Sequence, residues 1–309
     1  MKQNVVAIVG PTAVGKTKLS VEVAKRFNGE IISGDSMQIY KSMDIGTAKV
    51  TEEEKQGVPH YMVDIKQPDE GFSVAEFQEK VQGYIDEIAA KGKLPIIVGG
   101  TGLYIQSVLY DFQFSDEGSD ENFRQSLEAK IEEEGIQPYY EKLQSIDPEQ
   151  AAKVHPNNVR RVIRALEVYE TTGMTMTEYQ EKQKQESPYN PILIGLEMER
   201  EKLYERINNR VDKMMDEGLL EEVKALYHQG YANSQSMQAI GYKEFIPYFE
   251  GERSLEDAVF LLKRNSRRYA KRQYTYFRNK LDINWYEITV ESAREKFEEI
   301  LNDLAGKLC

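Results

Sequence analysis

The chain begins with an apolar run, Val5 to Val9, and then changes period. VVAIVG reads as a buried strand. In the following KTKLSVEVAKRF, the apolar positions Leu19, Val23 and Phe27 recur at helical spacing. GEIISGD predicts a second short strand. SVAEFQEKVQGYIDEIAAKGK predicts a helix with Ser73 as N-cap and Phe77, Val81, Tyr84, Ile85 and Ile88 as its apolar positions. LPIIVGG predicts a third strand. Strands alternating with helices imply a parallel sheet with right-handed crossovers. From about Asp116 to Ser187 the strand-like runs stop. ENFRQSLEAKIEEE, YYEKLQS, DPEQAAKV and NNVRRVIRALEVYETT read as helices, punctuated by Gly135, Asp147-Pro148 and Gly173. PILIGLEM resumes the strand pattern. A long helix through Arg210 and Val223 is expected next, then a further helical region, with the strand-like NWYEITV closing the chain. The expected organisation is an α/β core built from residues 1–115 and 188–309, interrupted by an all-helical insertion over 116–187. No internal repeat or low-complexity tract is visible.

The 309 residues suffice for one large or two modest domains. A composition of 40% hydrophobic and 30% charged residues is ordinary for a soluble protein. No apolar stretch approaches the ~18 residues of a membrane span, and VVAIV is too short for a signal-peptide core. The single cysteine, Cys309, excludes an intrachain disulfide. His60, His155 and His228 are scattered with no cysteine near them, so no zinc site is expected. A soluble, cytoplasmic protein without membrane contact is the expectation. The net charge of −12 argues weakly against a nucleic-acid partner. Net charge is a poor guide where positive residues cluster.

GPTAVGKT, Gly10 to Thr17, follows the first strand and matches G-x-x-x-x-G-K-[ST]. Gly10 and Gly15 let the backbone curl through Pro11, Thr12, Ala13 and Val14, so that the N–H groups the loop has, all but that of Pro11, turn inward. The next helix presents its positive end, Lys16 adds a mobile charge, and Thr17 is placed to hold Mg²⁺. The strand–loop–helix context points to phosphate binding on a P-loop parallel sheet with flanking helices; the other reading is a glycine-rich turn of structural use. NTPases of this class commonly carry an apolar strand ending in Asp. Here the best candidate, LPIIVGGTG, ends in glycines and Thr101, and no N-K-x-D motif appears. The acid instead follows the second strand, as Asp35. A carboxylate at that sheet edge can hold Mg²⁺ or accept a proton, or it can simply cap the next turn. Ser36, Gln38 and Tyr40 follow at alternating positions, where they could read a base or be ordinary surface residues.

KRNSRRYAKRQYTYFRNK, Lys263 to Lys280, carries eight Lys and Arg residues and no acid. Arg264, Arg267, Arg268, Lys271 and Arg272 share a helical face, interleaved with Tyr269, Tyr274, Tyr276 and Phe277. A charge run is usually a solvated face. One this lopsided in an acidic protein favours a polyanion, bound through counterion release. Arg160, Arg161 and Arg164 form a second basic cluster in the insertion.

Together these stretches resemble the tRNA dimethylallyltransferases. GPTAVGKT, SGDSMQIYKSMDIGTAK, VGGTGLY, HPNNVRRVIRALEVYETTG, QAIGYKE and RRYAKRQYTYFR span nearly the whole chain in the family's order. Two positions depart: Tyr276 stands where the family often has Trp, and Asn158 where it often has Asp. The resemblance implies transfer of a five-carbon group from dimethylallyl diphosphate to N6 of adenine 37, in tRNAs reading codons that begin with U. It implies that Lys16, the loop N–H groups and Thr17 with Mg²⁺ hold the leaving diphosphate, joined by Arg210. From residues alone, Arg210 would instead pair with Glu205 or Glu217. Asp35 would take the proton from the amine, with Thr101 beside the target base. The tRNA anticodon stem-loop would meet Asp35, Ser36, Met37, Gln38 and Thr101, Arg124, Arg160, Arg161 and Arg164 of the insertion, and Gly241, Tyr242 and Lys243. Arg267, Lys271 and Arg272 of the basic tract would meet it too. A monomer is expected. The competing readings are a P-loop small-molecule kinase, an RNA-binding module without chemistry, and a prenyltransferase acting on free AMP.

Overall fold

A computed structural model describes residues 2–112, 114, 121–182, 186–289 and 291–308. The expected 115–116 junction and Cys309 lie outside them. The chain divides into two compact units, Met1–Leu109 with Ser187–Cys309, and Tyr110–Glu186.

The first unit is built on β1 (Asn4–Val9), β2 (Gly29–Ser33), β3 (His60–Tyr61), β4 (Leu94–Gly99), β5 (Asn190–Glu197) and β6 (Asn284–Glu287). All pairings are parallel, in the order β3-β2-β4-β1-β5-β6. Val6 stands opposite Ile96 on one side and Ile192 on the other, so the centre is apolar on both faces. Val5 to Val9 are all 0% exposed. A strand covered on both faces has no reason to alternate, which is why VVAIV reads as a continuous apolar run. Burial of each such Val or Ile contributes roughly 1.5–3 kcal/mol.

The covering helices are α1 (Lys16–Arg26), α2 (Glu52–Lys55), α3 (Val74–Ala90) and α4 (Gly102–Leu109) before the second unit. Ser73 caps α3 as expected, its Oγ accepting from Glu76 N at 3.1 Å. The second unit holds α5 (Glu121–Glu134), α6 (Gln137–Ile146), α7 (Pro148–Lys153), α8 (Val159–Thr172) and α9 (Met176–Lys182). Leu127, Ile131, Leu143, Val162, Ile163 and Leu166 give it a core of its own. Asn158, where the family often has Asp, caps α8 through Arg161 N at 3.3 Å, and Gly173 ends the helix in the left-handed region at φ 69°.

The first unit resumes with α10 (Arg200–Asp216), α11 (Leu219–His228), α12 (Ile246–Phe249), α13 (Leu255–Lys280) and α14 (Ala293–Leu308). The single long helix expected through Arg210 and Val223 is two helices. Gly218 at φ 100° breaks it, a conformation few side chains tolerate. NWYEITV does not close the chain either. α14 follows it and buries Phe297, Ile300, Leu301 and Leu304 in the core that also holds Leu19 and Val23 of α1.

Candidate active site

The C-terminal ends of three adjacent strands, β2, β4 and β1, carry the candidate residues, where ligands bind on open parallel sheets. After β1 the chain turns through Gly10 (φ 143°), Ala13 (φ 66°) and Gly15 (φ 112°) into α1. A Cβ on Gly10 would lie 2.5 Å from Leu196 O, so only glycine lets the loop leave the sheet here. Lys16 folds back over this turn, donating to Gly10 O at 3.0 Å and Pro11 O at 2.7 Å. Desolvation, reinforced by nearby Arg210, lowers its pKa to about 7. Thr17, the first hydroxyl of α1, opens onto the same cavity.

Two neighbouring helices brace the loop. Arg206 Nε donates to Ala13 O at 3.0 Å, and Arg210 Nη1 approaches Thr12 Oγ1 at 3.4 Å. Arg210 therefore faces the loop rather than Glu205 or Glu217; Glu217 pairs with Lys213 at 3.4 Å. From the other side, Gln273 of α13 accepts from Thr12 N at 3.0 Å and donates to Gly100 O at 3.1 Å.

Asp35 lies just beyond β2. Its Oδ1 accepts from Met37 N at 2.8 Å, a turn-capping bond. Desolvation nevertheless raises its pKa, against the pull of that N–H and of Lys16 and Arg210. Thr101 Oγ1 sits next to it, accepting from Ser36 N at 3.3 Å. Tyr269 hydrogen-bonds with Thr101 and Gln273, and desolvation pushes its pKa up to about 12, so its hydroxyl stays neutral.

Two cavities meet here. One, of about 850 Å³, is lined by the phosphate loop with Lys16, Thr17, Lys49, Arg206, Arg210 and Lys213. The other, of about 310 Å³, has an apolar wall of Met37, Ile207, Val211, Met214, Ile240 and Leu262, with Arg210, Lys243 and Arg272 also on its lining. Thr12, Asp35, Arg210 and Tyr269 border both. A cationic chamber and an apolar-walled one thus share a wall that contains a carboxylate. Mg²⁺ suits the hard oxygen of Thr17 alongside phosphate oxygens. Among the described residues no cluster of three or more His, Cys, Asp or Glu forms a metal cage, so any such ion would depend on the ligand's own oxygens.

Other expected contact residues have structural duties. Gln38 is tied at both ends of its amide: Ser33 Oγ donates to its Oε1 at 2.9 Å, and its Nε2 donates to the Thr47 and Ala48 carbonyls. Tyr242, expected at the RNA surface, is 0% exposed, with its hydroxyl on Glu222 at 2.6 Å. Its ring fills the space left by Gly46, where a Cβ would lie 2.5 Å away. Gly241, at φ 103°, donates its N–H to buried Glu244, leaving exposed Lys243 on the smaller cavity. In the basic tract, Lys263 pairs with Asp212 and Arg278 with Glu197, so these two cations have anionic partners, while Arg267 donates to the neutral amide of Asn208. Arg268, Lys271 and Arg272 remain exposed. In the second unit, Arg124 and Arg164 both bind fully buried Glu167, each at 2.8 Å, whereas Arg160 and Arg161 are exposed.

Gln273, Arg206 and Glu222 escaped the sequence reading, and Tyr269 entered it only as an aromatic among the basic residues. Tyr269 and Gln273 were hidden inside a tract whose charge dominated its interpretation. Glu222 accepts from three successive N–H groups, those of Asp44, Ile45 and Gly46, and so fixes the loop that lines both cavities. Nothing in local sequence signals a contact 178 residues away.

The IPP transferase family model matches residues 38–280 of the chain. The tRNA dimethylallyltransferase of Oceanobacillus iheyensis is 61% identical over 308 residues, covering 100% of this chain and 98% of its own. The full-length tRNA isopentenylpyrophosphate transferase of Bacillus halodurans superposes with a TM-score of 0.75 at 53% identity, covering 100% of this chain and 97% of that one. A eukaryotic dimethylallyltransferase crystallised acting on tRNA gives a TM-score of 0.84 at 32% identity, over 99% of this chain and 80% of its own.

Proposed function

We propose, since the chain belongs to the IPP transferase family, that it moves a dimethylallyl group from dimethylallyl diphosphate to N6 of adenosine 37 in tRNAs reading codons that begin with U. The observation that carries this reading is the position of Asp35, on the wall where a cationic cavity meets an apolar-walled one. The diphosphate belongs in the first cavity, against Lys16 and the loop N–H groups. The prenyl carbons belong beside the apolar walls of the second, which keep water from an allylic carbon that is losing its leaving group.

The reaction breaks the C1–O bond to diphosphate and forms a C1–N6 bond to adenine. Negative charge develops on the departing oxygens, where Lys16, Arg210 and the loop N–H groups stabilise it. Thr17 would hold Mg²⁺ together with the diphosphate, and the ion would add further neutralisation there. The adenine amine is a weak nucleophile, because its lone pair is delocalised into the ring. Asp35 takes the N6 proton as the new bond forms. No water needs activating, which explains a phosphate loop without the strand-end Asp of an NTPase. Thr101 and the backbone around Ser36 and Met37 border the place the base must occupy once it leaves its stack. Arg160, Arg161, Lys243, Arg268, Lys271 and Arg272 are exposed cations suited to the RNA backbone. No described helix is long and apolar enough to cross a membrane. The enzyme acts as a monomer in the cytoplasm.

The test is a purified preparation given labelled dimethylallyl diphosphate with unmodified tRNA, with AMP, or with neither. Label in tRNA alone is expected. Label in AMP assigns a free-nucleotide prenyltransferase, and tRNA binding without transfer assigns an RNA-binding module. Phosphoryl transfer from ATP to a small molecule would revive the kinase reading, which no feature of the site favours.

A further inference from the structure

α13 does two things at once. Its outer face presents Arg268 and Lys271 to solvent, exposed Arg272 lies over the Tyr269 ring at 5.6 Å on the edge of the smaller cavity, and its inner face reaches the site through Tyr269 and Gln273, one helical turn apart. Gln273 is 5% exposed, and both ends of its amide are used. Its oxygen holds Thr12 N in the phosphate loop, and its nitrogen holds Gly100 O, next to Thr101 in the loop after β4. The approach to β4 is so close that a Cβ on Gly100 would lie 1.9 Å from Gln273 Nε2. The next atoms outside the Gln273 amide are at 3.6 Å, at Gly10 O. Gly100 has no left-handed backbone to explain its glycine; the bare Cα is there because Gln273 occupies the space.

We propose that Gln273 is a positioning residue for the transfer reaction. It fixes the spacing between the loop that holds the leaving group and the loop that carries Thr101, so that donor carbon and acceptor nitrogen meet across Asp35. The proposal rests on the prenyl-transfer reading above. The amide bridges two backbone groups in different loops, Thr12 after β1 and Gly100 after β4. Arg210 approaches the Thr12 hydroxyl at 3.4 Å, while Gln273 accepts from its backbone N–H at 3.0 Å. An amide suits this duty because it both accepts and donates; a carboxylate or a thioether of similar length supplies at most one of the two.

The test compares wild type, Q273M, Q273A, G100A and the double variant G100A/Q273A on an anticodon stem-loop with dimethylallyl diphosphate. Thermal melting of each is recorded alongside. Q273M is expected to lose about tenfold to a hundredfold in kcat, the effect of a misplacement of an ångström or less, with KM for the stem-loop unchanged. G100A is expected to show a similar loss, because its methyl displaces the Gln273 amide. In the double variant the methyl meets no side chain, so G100A should cost nothing beyond Q273A alone. Losses that multiply in the double variant, a G100A enzyme with wild-type turnover, or a Q273M enzyme changed only in melting temperature would each overturn the assignment. Should Q273M fail to fold, the comparison of G100A with the double variant still decides it. Transfer by the wild type with full turnover by Q273M removes this proposal alone. No transfer by the wild type removes the parent reading and this one with it.

Discussion

Asp35 and Lys16 sit in surroundings that shift both of them toward their neutral forms, yet the proposed chemistry needs both charged. For Asp35 the raised pKa means that folding takes up a proton in the window just above the ordinary carboxylate value. Stability therefore falls as pH rises through that window and is level beyond it. Asp35→Asn is expected to melt higher than wild type at neutral pH, which a calorimetric scan of both proteins will check. It should also lower transfer by about 10²–10⁴-fold while leaving tRNA affinity within about twofold. Substantial residual turnover would take the base role away from Asp35. Lys16 runs the other way. Its folded pKa of about 7 lies below its unfolded value, so the unfolded chain holds more protons between the two. Wild type should gain stability relative to Lys16→Met as pH rises from about 7 toward 10, measured as the difference in melting temperature across that range. A difference independent of pH would mean that Lys16 is not desolvated in the free protein. The loop motif and Asp35 were legible in the sequence, because phosphate loops need glycine and lysine at fixed offsets. Tyr269, bonded to Thr101 and Gln273 across the fold, was not.

At the scale of elements, the basic tract separates into cations that hold the protein together and cations that face water. Composition alone could find the tract. It could not tell that Arg267 is engaged with Asn208 of α10, or Lys263 with Asp212, since those partners lie on another helix. Arg268→Ala combined with Lys271→Ala is accordingly expected to reduce the slope of log K against log salt for tRNA by about 2, one per lost phosphate contact. An unaltered slope would place that face in solvent. α8 divides in the same manner. Arg164→Ala leaves buried Glu167 with less compensation and is expected to destabilise the second unit by about 1–2 kcal/mol, since the arginine itself is partly screened by solvent. Arg160→Ala should leave stability unchanged and weaken tRNA binding, as read by chemical denaturation and a filter-binding titration. The long strands and α3 were legible from period and capping. The break at Gly218 was signalled by the glycine but outweighed by the helical spacing around it. β3, at two residues, is too short to carry any period. α14 had the right spacing at Phe297, Ile300, Leu301 and Leu304 and went unread after the strand-like NWYEITV.

For the molecule as a whole, the sheet order accounts for the chemistry more than any single residue does. Placing β4 between β1 and β2 brings the ends of three strands side by side, and with them the phosphate loop, the glycines before Thr101, and Asp35. The sequence predicted each segment but not their order across the sheet, because strand order depends on contacts between distant segments. It likewise could not show that two cavities join at Asp35. The central claim is that the loop grips a departing diphosphate rather than a nucleotide to be hydrolysed. The most direct measurement is the stoichiometry of products from dimethylallyl diphosphate and an anticodon stem-loop in a mixture free of nucleoside triphosphates. One inorganic diphosphate released for each N6-alkylated adenosine is the predicted result. A reaction that requires ATP and leaves phosphate on its acceptor would contradict the account.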